Sequence, residues 1–476
     1  MQVEIAEICN QVLKRITPNE EDRGKIEALA ERLKERVASA AKDFGVEALV
    51  RVEGSVAKDT WLREEPDIDI FMRLPTSIPR QSLGETALKI ARKALEGYRQ
   101  VERFAEHPYL EAFVDDVRVN VVPCYMTVPG EWLSATDRTP YHTDYVNNHL
   151  SWKMRNEVRL LKRFMKGIGV YGAEIKTGGF SGYLCELLIL HYGSFINLLK
   201  AFAQYRKRLV IDVKKHYGDS LDELDLLFPE PLVIVDPVDK GRNVASAVQP
   251  QKLFTLIVAS RAFLKNPSLN FFYPPETMPL PADKLVETIE RRGSHMIFII
   301  FEGIDAAPDV LWGQLYKSQR AIARLLELNG FRLLRHAVWS DEKGLNVLLF
   351  ELESQRLPLV RKHLGPPVEK EKECENFLSK YLANSLMVSG PYIEDERWVV
   401  LLKRRYVDAV DLLKEKLMDG GRAIGVAREI SQAIAKNMKI LVNGEIAEIY
   451  LENSDFAKHL TDFLSGKPKW LEKSTC

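Results

Sequence analysis

The chain has 476 residues, too many for one hydrophobic core, and its length sets an expectation of about three domains. A 46% hydrophobic content is that of soluble globular protein. With 67 Lys and Arg against 67 Asp and Glu, the net charge gives no sign of a polyanion partner, yet residues 151–216 carry 13 basic against 4 acidic side chains.

Five cysteines (Cys9, Cys124, Cys185, Cys374 and Cys476) are scattered and form no CxxC pair. They imply neither a disulfide framework nor a zinc site, and a reducing compartment is expected. The start, MQVEIAEICNQVLKRITP, lacks the basic-then-apolar order of a signal peptide. No run reaches the ~20 apolar residues of a membrane span. A soluble, cytoplasmic chain with no membrane partner is the expectation.

In chain order, TPNEEDRGKIEALAERLKERVASAAKDFG opens with Pro and acids and closes in Gly. Ile26, Leu29, Ala30, Leu33 and Val37 recur in it at helical spacing, which predicts an amphipathic helix. ALVRVEG reads as a short strand, with Gly54-Ser55 turning into the next helix. In DIDIFMRLP, Ile68, Ile70 and Met72 fall on one strand face and Asp67 and Asp69 on the other. QSLGETALKIARKALEGY predicts a helix, and VRVNVVPCY a third strand ended by its proline. Residues 1–148 thus read as one α+β domain.

From residue 151 the pattern turns helical. SWKMRNEVRLLKRFMKGIG and FSGYLCELLILHYGSFINLLKAFAQYRKRL read as helices, and the extended LVIVDPVDKGRNVAS interrupts them, giving a second domain over 149–275. The proline-rich PSLNFFYPPETMPLP, residues 267–281, reads as a linker. Beyond it, within 276–476, HMIFIIFEG, a helix around LWGQLYKSQRAIARLLELNG, FRLLRHAVWSD, LNVLLFELE and another helix give a β-α-β-β-α order. RWVVLLKRRY is the expected fourth strand of a ferredoxin-like or RNA-recognition-like sheet, although no aromatic RNP1 pattern accompanies it.

The stretch EGSVAKDTWLREEPDIDIF sets two carboxylates on one side of an otherwise apolar strand. Burying like charges costs several kcal/mol each unless something neutralises them, and a divalent cation suits this arrangement. Asp67 and Asp69 can hold one or two Mg²⁺, an ion that takes a few carboxylates and leaves its other sites to phosphate oxygens. Gly54-Ser55 offers a tight turn whose backbone N–H and hydroxyl can hold a phosphate at a helix start, with Lys58 on the turn after it. Either motif alone is common. Their combination, with DID inside an apolar strand, is specific.

The run GSxxxxTWLxxxxDIDIF, followed by VVPCY, DRTPYH, EVRLLKxFxKxxGxYGAE, GFSGYLCELLIxxYGSF and VDPVDxxRNVA, resembles the class I (archaeal-type) CCA-adding enzymes. These are ATP/CTP:tRNA nucleotidyltransferases of the DNA polymerase β superfamily. The resemblance is dense from about residue 50 to residue 275 and thinner beyond. It implies an α+β multidomain chain: a polymerase-β-like nucleotidyltransferase head, a helical neck that selects the nucleotide, and a C-terminal α+β body and tail that bind RNA. It also implies template-independent addition of C, C and A to the tRNA 3′ end from CTP and ATP, with pyrophosphate released by two-metal Mg²⁺ chemistry. The tRNA partner would be gripped at its acceptor stem and T arm, through phosphates, ribose hydroxyls and A-form shape.

Residue by residue, the resemblance makes Ser55 and Lys58 phosphate-contacting positions, and Asp67 and Asp69 metal ligands. His142, Lys162 and Tyr171 become triphosphate- and nucleotide-binding positions, and Arg242 a selector of the C or A base edge. Without it, His142 reads as a surface histidine, Lys162 as part of a solvated basic face, Tyr171 as a packing residue and Arg242 as a loop salt-bridge partner.

Two positions depart from the family's pattern. Lys58 stands where Arg is frequent, which reduces a bidentate contact to a point charge. Asn120, in VRVNVVPCY, stands where the pattern has its third catalytic and metal-ligating carboxylate. Asp116 has the same strand parity but lies four residues back, roughly 13 Å along a strand, and Asp115 has the wrong parity. An amide is a weaker metal ligand and no anionic base, so weakened catalysis is expected. A poly(A) or oligoadenylate polymerase and a catalytically inactive RNA-binding relative are the alternatives. Oligomeric state stays open at this level, a homodimer among the options.

Overall fold

The computed structural model describes residues 2–104, 106–218 and 221–472. The chain forms two compact units, one of residues 1–276 with 467–476 and the other Thr277–Gly466. Cys476 lies outside the described residues, and the other four cysteines are free and buried. No single helix among the described residues is long and apolar enough to cross a membrane.

The first unit holds two large apolar cores and a small one around Tyr217, Phe228 and Val235. In one, the helices Glu20–Asp43 and Arg80–Ala94 pack on a face of a five-stranded sheet. Its strands are β1 (Leu49–Glu53), β2 (Asp67–Leu74), β3 (Arg99–Phe104), β4 (Pro108–Val114) and β5 (Val117–Tyr125), in the order β1-β2-β5-β4-β3. Only the β2–β5 pair is parallel. Ile68, Ile70, Met72, Leu110, Ala112, Val119 and Val121 fill the core, so strand alternation turns Asp67, Asp69, Glu111, Arg118 and Asn120 to the other face.

Here β3 and β4 are strands that the sequence reading did not anticipate. β3 is an edge strand with no fully buried residue, and β4 opens on a proline, so neither shows a clean apolar signal. β5 also runs through Pro123 to Tyr125 instead of stopping at the proline. Asp115 and Asp116 are not strand residues at all. They form the two-residue β4–β5 turn, with φ of +50° and +63°, as a tight hairpin of this hand requires.

The second core is helical. It gathers Ile5, Cys9, Val12 and Ile16 of the N-terminal helix Gln2–Ile16, the helices Trp152–Gly167, Gly182–Tyr192, Phe195–Ala203 and Pro250–Lys265, and an aromatic knot. Phe164 lies 5.3–5.9 Å from Phe195, Phe263, Phe271 and Phe272. The 180–209 run is two helices, not one. Gly193 ends the first in the left-handed conformation (φ +76°), and Ser194 caps the second by accepting the Asn197 N–H. Leu209–Asp212 then forms β6, parallel to β7 (Leu232–Asp236), which turns into β8 (Asp239–Asn243).

The proline-rich linker begins later than its composition suggested. Phe271 and Phe272 are core residues, and the boundary between units falls after Glu276. The last described residues also return to the first unit, with Trp470 5.2 Å from Phe271.

In the second unit, β9 (His295–Phe301), β10 (Leu333–Ser340), β11 (Asn346–Leu352) and β15 (Lys439–Val442) form an antiparallel sheet of order β10-β11-β9-β15. This is the expected ferredoxin-like order, but RWVVLLKRRY is not its fourth strand. That place belongs to β15, which pairs with β9. Arg397–Lys403 is β14, the centre of a separate sheet between β12 (Val360–Pro367) and β13 (Met387–Glu394). Its apolar run is buried by these neighbours, and nothing in the run itself names its partners.

Candidate active site

The open face of the five-stranded sheet carries a continuous polar row. Register sets Glu53 of β1 beside Asp69 of β2, Asp69 beside Asn120 of β5, and Asn120 beside Glu111 of β4. Asn120 Nδ2 donates to Asp67 Oδ1 at 3.1 Å and to Asp69 Oδ1 at 3.0 Å. Arg118 adds a two-pronged contact to Asp67, Nε at 3.2 Å and Nη2 at 2.6 Å. Burial and the neighbouring Asp67 push the Asp69 carboxyl up to about 7, the mark of negative charge incompletely balanced by these donors.

Gly54 explains why the GS turn precedes this strand. Its φ is +71°, and a Cβ there would lie 2.1 Å from Asp69 Oδ2. The turn therefore presses directly on the aspartate and delivers Ser55, half-buried, beside the row. The helix that follows, Gly54–Ala57, is a single turn, too short to contribute much of a dipole, so any anion contact there rests on Ser55 itself.

Two carboxylates and, with the amide turned over, the Asn120 oxygen would make an oxygen-only donor set, the chemistry a hard divalent cation takes. With its excess negative charge, the set fits such an ion. Among the described residues no three His, Cys, Asp or Glu side chains converge as ligands.

Lys58 and Lys162 meet on a buried acid that the sequence reading missed. Glu186, on the helix Gly182–Tyr192, accepts from Lys58 Nζ at 2.5 Å, Thr60 Oγ1 at 2.6 Å and Lys162 Nζ at 3.5 Å. Lys162 also donates to Thr60 O and Oγ1 at 3.1 and 3.0 Å. Burial would raise Glu186, but the two ammonium groups hold it below the usual carboxylate range. Burial pushes Lys162 down, with Glu186 opposing. Two cations on one anion leave the cluster one net positive charge. Lys162 is no part of a solvated face: it is buried while its helix neighbours Arg155 and Lys166 are only partly so. The Tyr171 hydroxyl joins this cluster at the start of the same helix, where a Cβ on Gly182 would stand 3.1 Å from it and 3.5 Å from Lys162 Nζ.

His142 and Arg242 converge on a second missed acid, Asp236 of β7. His142 Nε2 is 2.9 Å and Arg242 Nη1 2.7 Å from Asp236 Oδ2, and the Tyr183 hydroxyl donates to Oδ1 at 3.1 Å. Burial would raise Asp236, but these partners bring it down to about 2. His142 is buried, not a surface histidine, and its ring stacks on Tyr183 at 4.0 Å. Lys58 Nζ lies over the Tyr183 ring, 5.8 Å from its centroid, so the two clusters share one wall. The signal for both acids was present in the sequence: a lone Glu in GYLCELLIL and a lone Asp in LVIVDP are each isolated in an apolar run.

Three family models match the chain: a nucleotidyltransferase domain over residues 27–142, the second domain of tRNA nucleotidyltransferases over 156–273, and the C-terminal domain of CCA-adding enzymes over 292–443. The chain is 38% identical to a CCA-adding enzyme of Methanosarcina barkeri, over 95% of this chain and 97% of that one. It is 36% identical to one of Halobacterium salinarum, over 97% and 99% of the two chains. A solved structure of the Cid1 poly(U) polymerase also matches, at 14% identity and a TM-score of 0.45, covering 56% of this chain and 96% of that one.

Proposed function

Because the chain belongs to the family of CCA-adding enzymes, we propose that it adds C, C and A in turn to the 3′ end of tRNA without a template, using CTP and ATP and releasing pyrophosphate. The observation that carries this reading is the row of Asp67, Asp69 and Asn120 pressed against the Gly54-Ser55 turn. Asp67 and Asp69, with the Asn120 oxygen, would hold Mg²⁺, as a pair of ions in the two-metal arrangement. Bound there, the cation supplies Lewis-acid polarisation of the reacting phosphoryl group and favours ionisation of the attacking hydroxyl.

The chain's own residues bind and orient. Ser55 meets the triphosphate beside Asp69, and Lys58 and Lys162 lend the net positive charge of their cluster to its charged tail, with Tyr171 closing that end. Arg242, held by Asp236, presents N–H donors of fixed direction to the base edge, while His142, whose Nε2–H goes to Asp236, turns Nδ1 to the nucleotide as an acceptor. Because Asn120 brings no negative charge, deprotonation of the tRNA 3′-hydroxyl is less favoured than it would be with a carboxylate, and the reaction is slowed. The domain roles follow the same reading: residues 1–148 catalyse, 149–275 select the nucleotide, and the C-terminal residues grip the acceptor stem and T arm.

The test is extension of tRNA lacking its last three residues, with Mg²⁺ and labelled CTP and ATP. Ordered addition of two C and one A is expected, and equally on a minihelix of acceptor stem and T arm. Long tails from ATP alone would instead mark a poly(A) polymerase. Tight tRNA binding with no addition at enzyme excess would mark a catalytically inactive RNA-binding relative, the alternative that Asn120 raises.

A further inference from the structure

Asn120 as it stands turns the wrong end of its amide to the aspartates. Its Nδ2 hydrogens occupy one oxygen of Asp67 and one of Asp69. A cation between those carboxylates needs the same lone pairs and repels an N–H donor. The one ligand that an asparagine can offer is Oδ1. Rotation about the terminal side-chain torsion, which is broad and nearly two-fold, exchanges the two ends with no backbone movement. Nδ2 then needs an acceptor on the side away from the aspartates, where β4 lies.

Glu111 occupies that place. The antiparallel register pairs it with Asn120, on the same face, where directly opposed side chains have Cβ atoms about 5 Å apart. Its carboxylate is buried and accepts from Arg103 Nε at 3.1 Å and Nη2 at 2.8 Å, both on Oε1. That leaves Oε2 for a further donor and sets a fixed positive charge beside the group. The row's other acid, Glu53, lies on the far side of Asp69, 2.9 Å from Arg51, and does not border position 120.

We infer that Glu111 is a positioning residue for Asn120: it accepts the Asn120 Nδ2 hydrogen once the amide turns Oδ1 to a cation held by Asp67 and Asp69, and lends through the amide the negative charge that position 120 lacks. A hydrogen bond to an anion strengthens the amide oxygen as a ligand. This rests on the metal reading of the aspartate row.

The test is binding of Mn²⁺ alone to the full chain, followed by the loss of the free-ion electron paramagnetic resonance signal. Glu111→Gln should weaken Mn²⁺ about tenfold, within the range for a ligand-orienting partner. In an Asn120→Asp background, where the ligand carries its own charge, the same change should cost twofold or less. An equal cost in both backgrounds would reduce Glu111 to a structural role and overturn the inference, as would no cost in either. Asp69→Ala separates the layers. If it abolishes binding while Glu111→Gln leaves it intact, the inference alone fails; if binding survives Asp69→Ala, the metal reading fails with it. Should Glu111→Gln melt early, the joint change Arg103→Met and Glu111→Met removes the buried pair together and is read in the same two backgrounds.

Discussion

Each unit of this chain is built around an antiparallel or mixed sheet, and the two sheets differ in what their faces are for. In the five-stranded sheet, helices cover one face and the other carries Asp67, Asp69, Arg118, Asn120 and Glu111. In the four-stranded sheet the central strands β9 and β11 are buried on both faces almost throughout, and exposure is confined to the edges, as at Leu334 and His336 of β10. Ile297, Ile299 and Phe301 of β9 enter one core with the helix Pro308–Leu328, while Met296, Phe298 and Ile300 enter another with Ala282–Arg291 and Ser454–Ser465. The topology is that of an RNA-recognition sheet, but its central strands leave no open face on which a base could stack. Strand order therefore says nothing about a binding face; the alternation along each strand does.

The comparison can be broken first at Asp69. Asp69→Ala should lower the rate of CMP addition by about 10³-fold, several kcal/mol of lost charge stabilisation at 1.36 kcal/mol per decade, with little change in melting temperature. The counterpart in the second sheet is Phe298→Ala, which should cost about 3–5 kcal/mol of folding stability through its cavity and leave Mn²⁺ affinity unchanged. If the two variants showed the same kind of defect, the division into a chemical face and a structural sheet would be wrong.

Asn120→Asp sharpens the chemical side. Restoring an anion next to the reacting hydroxyl should raise kcat for CMP addition at least ~10²-fold in single-turnover extension, with nearly unchanged CTP affinity. A chain that already adds CCA as fast as its aspartate variant would remove position 120 from the site.

The smallest effect concerns the acid beneath His142 and Arg242. Asp236 has a folded value of about 2 against an ordinary 3.8, so its contribution to stability is complete above the unfolded value and is lost as pH falls from 3.8 towards 2. Asp236→Asn should thus cost about 2 kcal/mol at pH 7 and about 1 kcal/mol less at pH 3, by urea denaturation. A loss that does not depend on pH would mean that the charge of Asp236 is not what its neighbours hold.

The sequence by itself determined the parts whose cause lies within a few residues along the chain. Alternation in DIDIF separates an apolar from an acidic strand face, and helical spacing from Ile26 to Val37 makes one buried stripe. Gly54 announces a conformation that other residues resist, and its reason, the close approach of Asp69, appears only in three dimensions. Tertiary structure alone decided which elements pair. A four-residue strand, β15, displaces the longer and more apolar β14 from the four-stranded sheet, because pairing depends on what reaches the β9 edge. It likewise decided the electrostatic partners: Lys58 meets Glu186 across 128 positions, and Glu111 reaches Asn120 only through a hairpin register. Periodicity is written by neighbours in the chain, whereas burial of a charge is settled by whichever distant group arrives to compensate it.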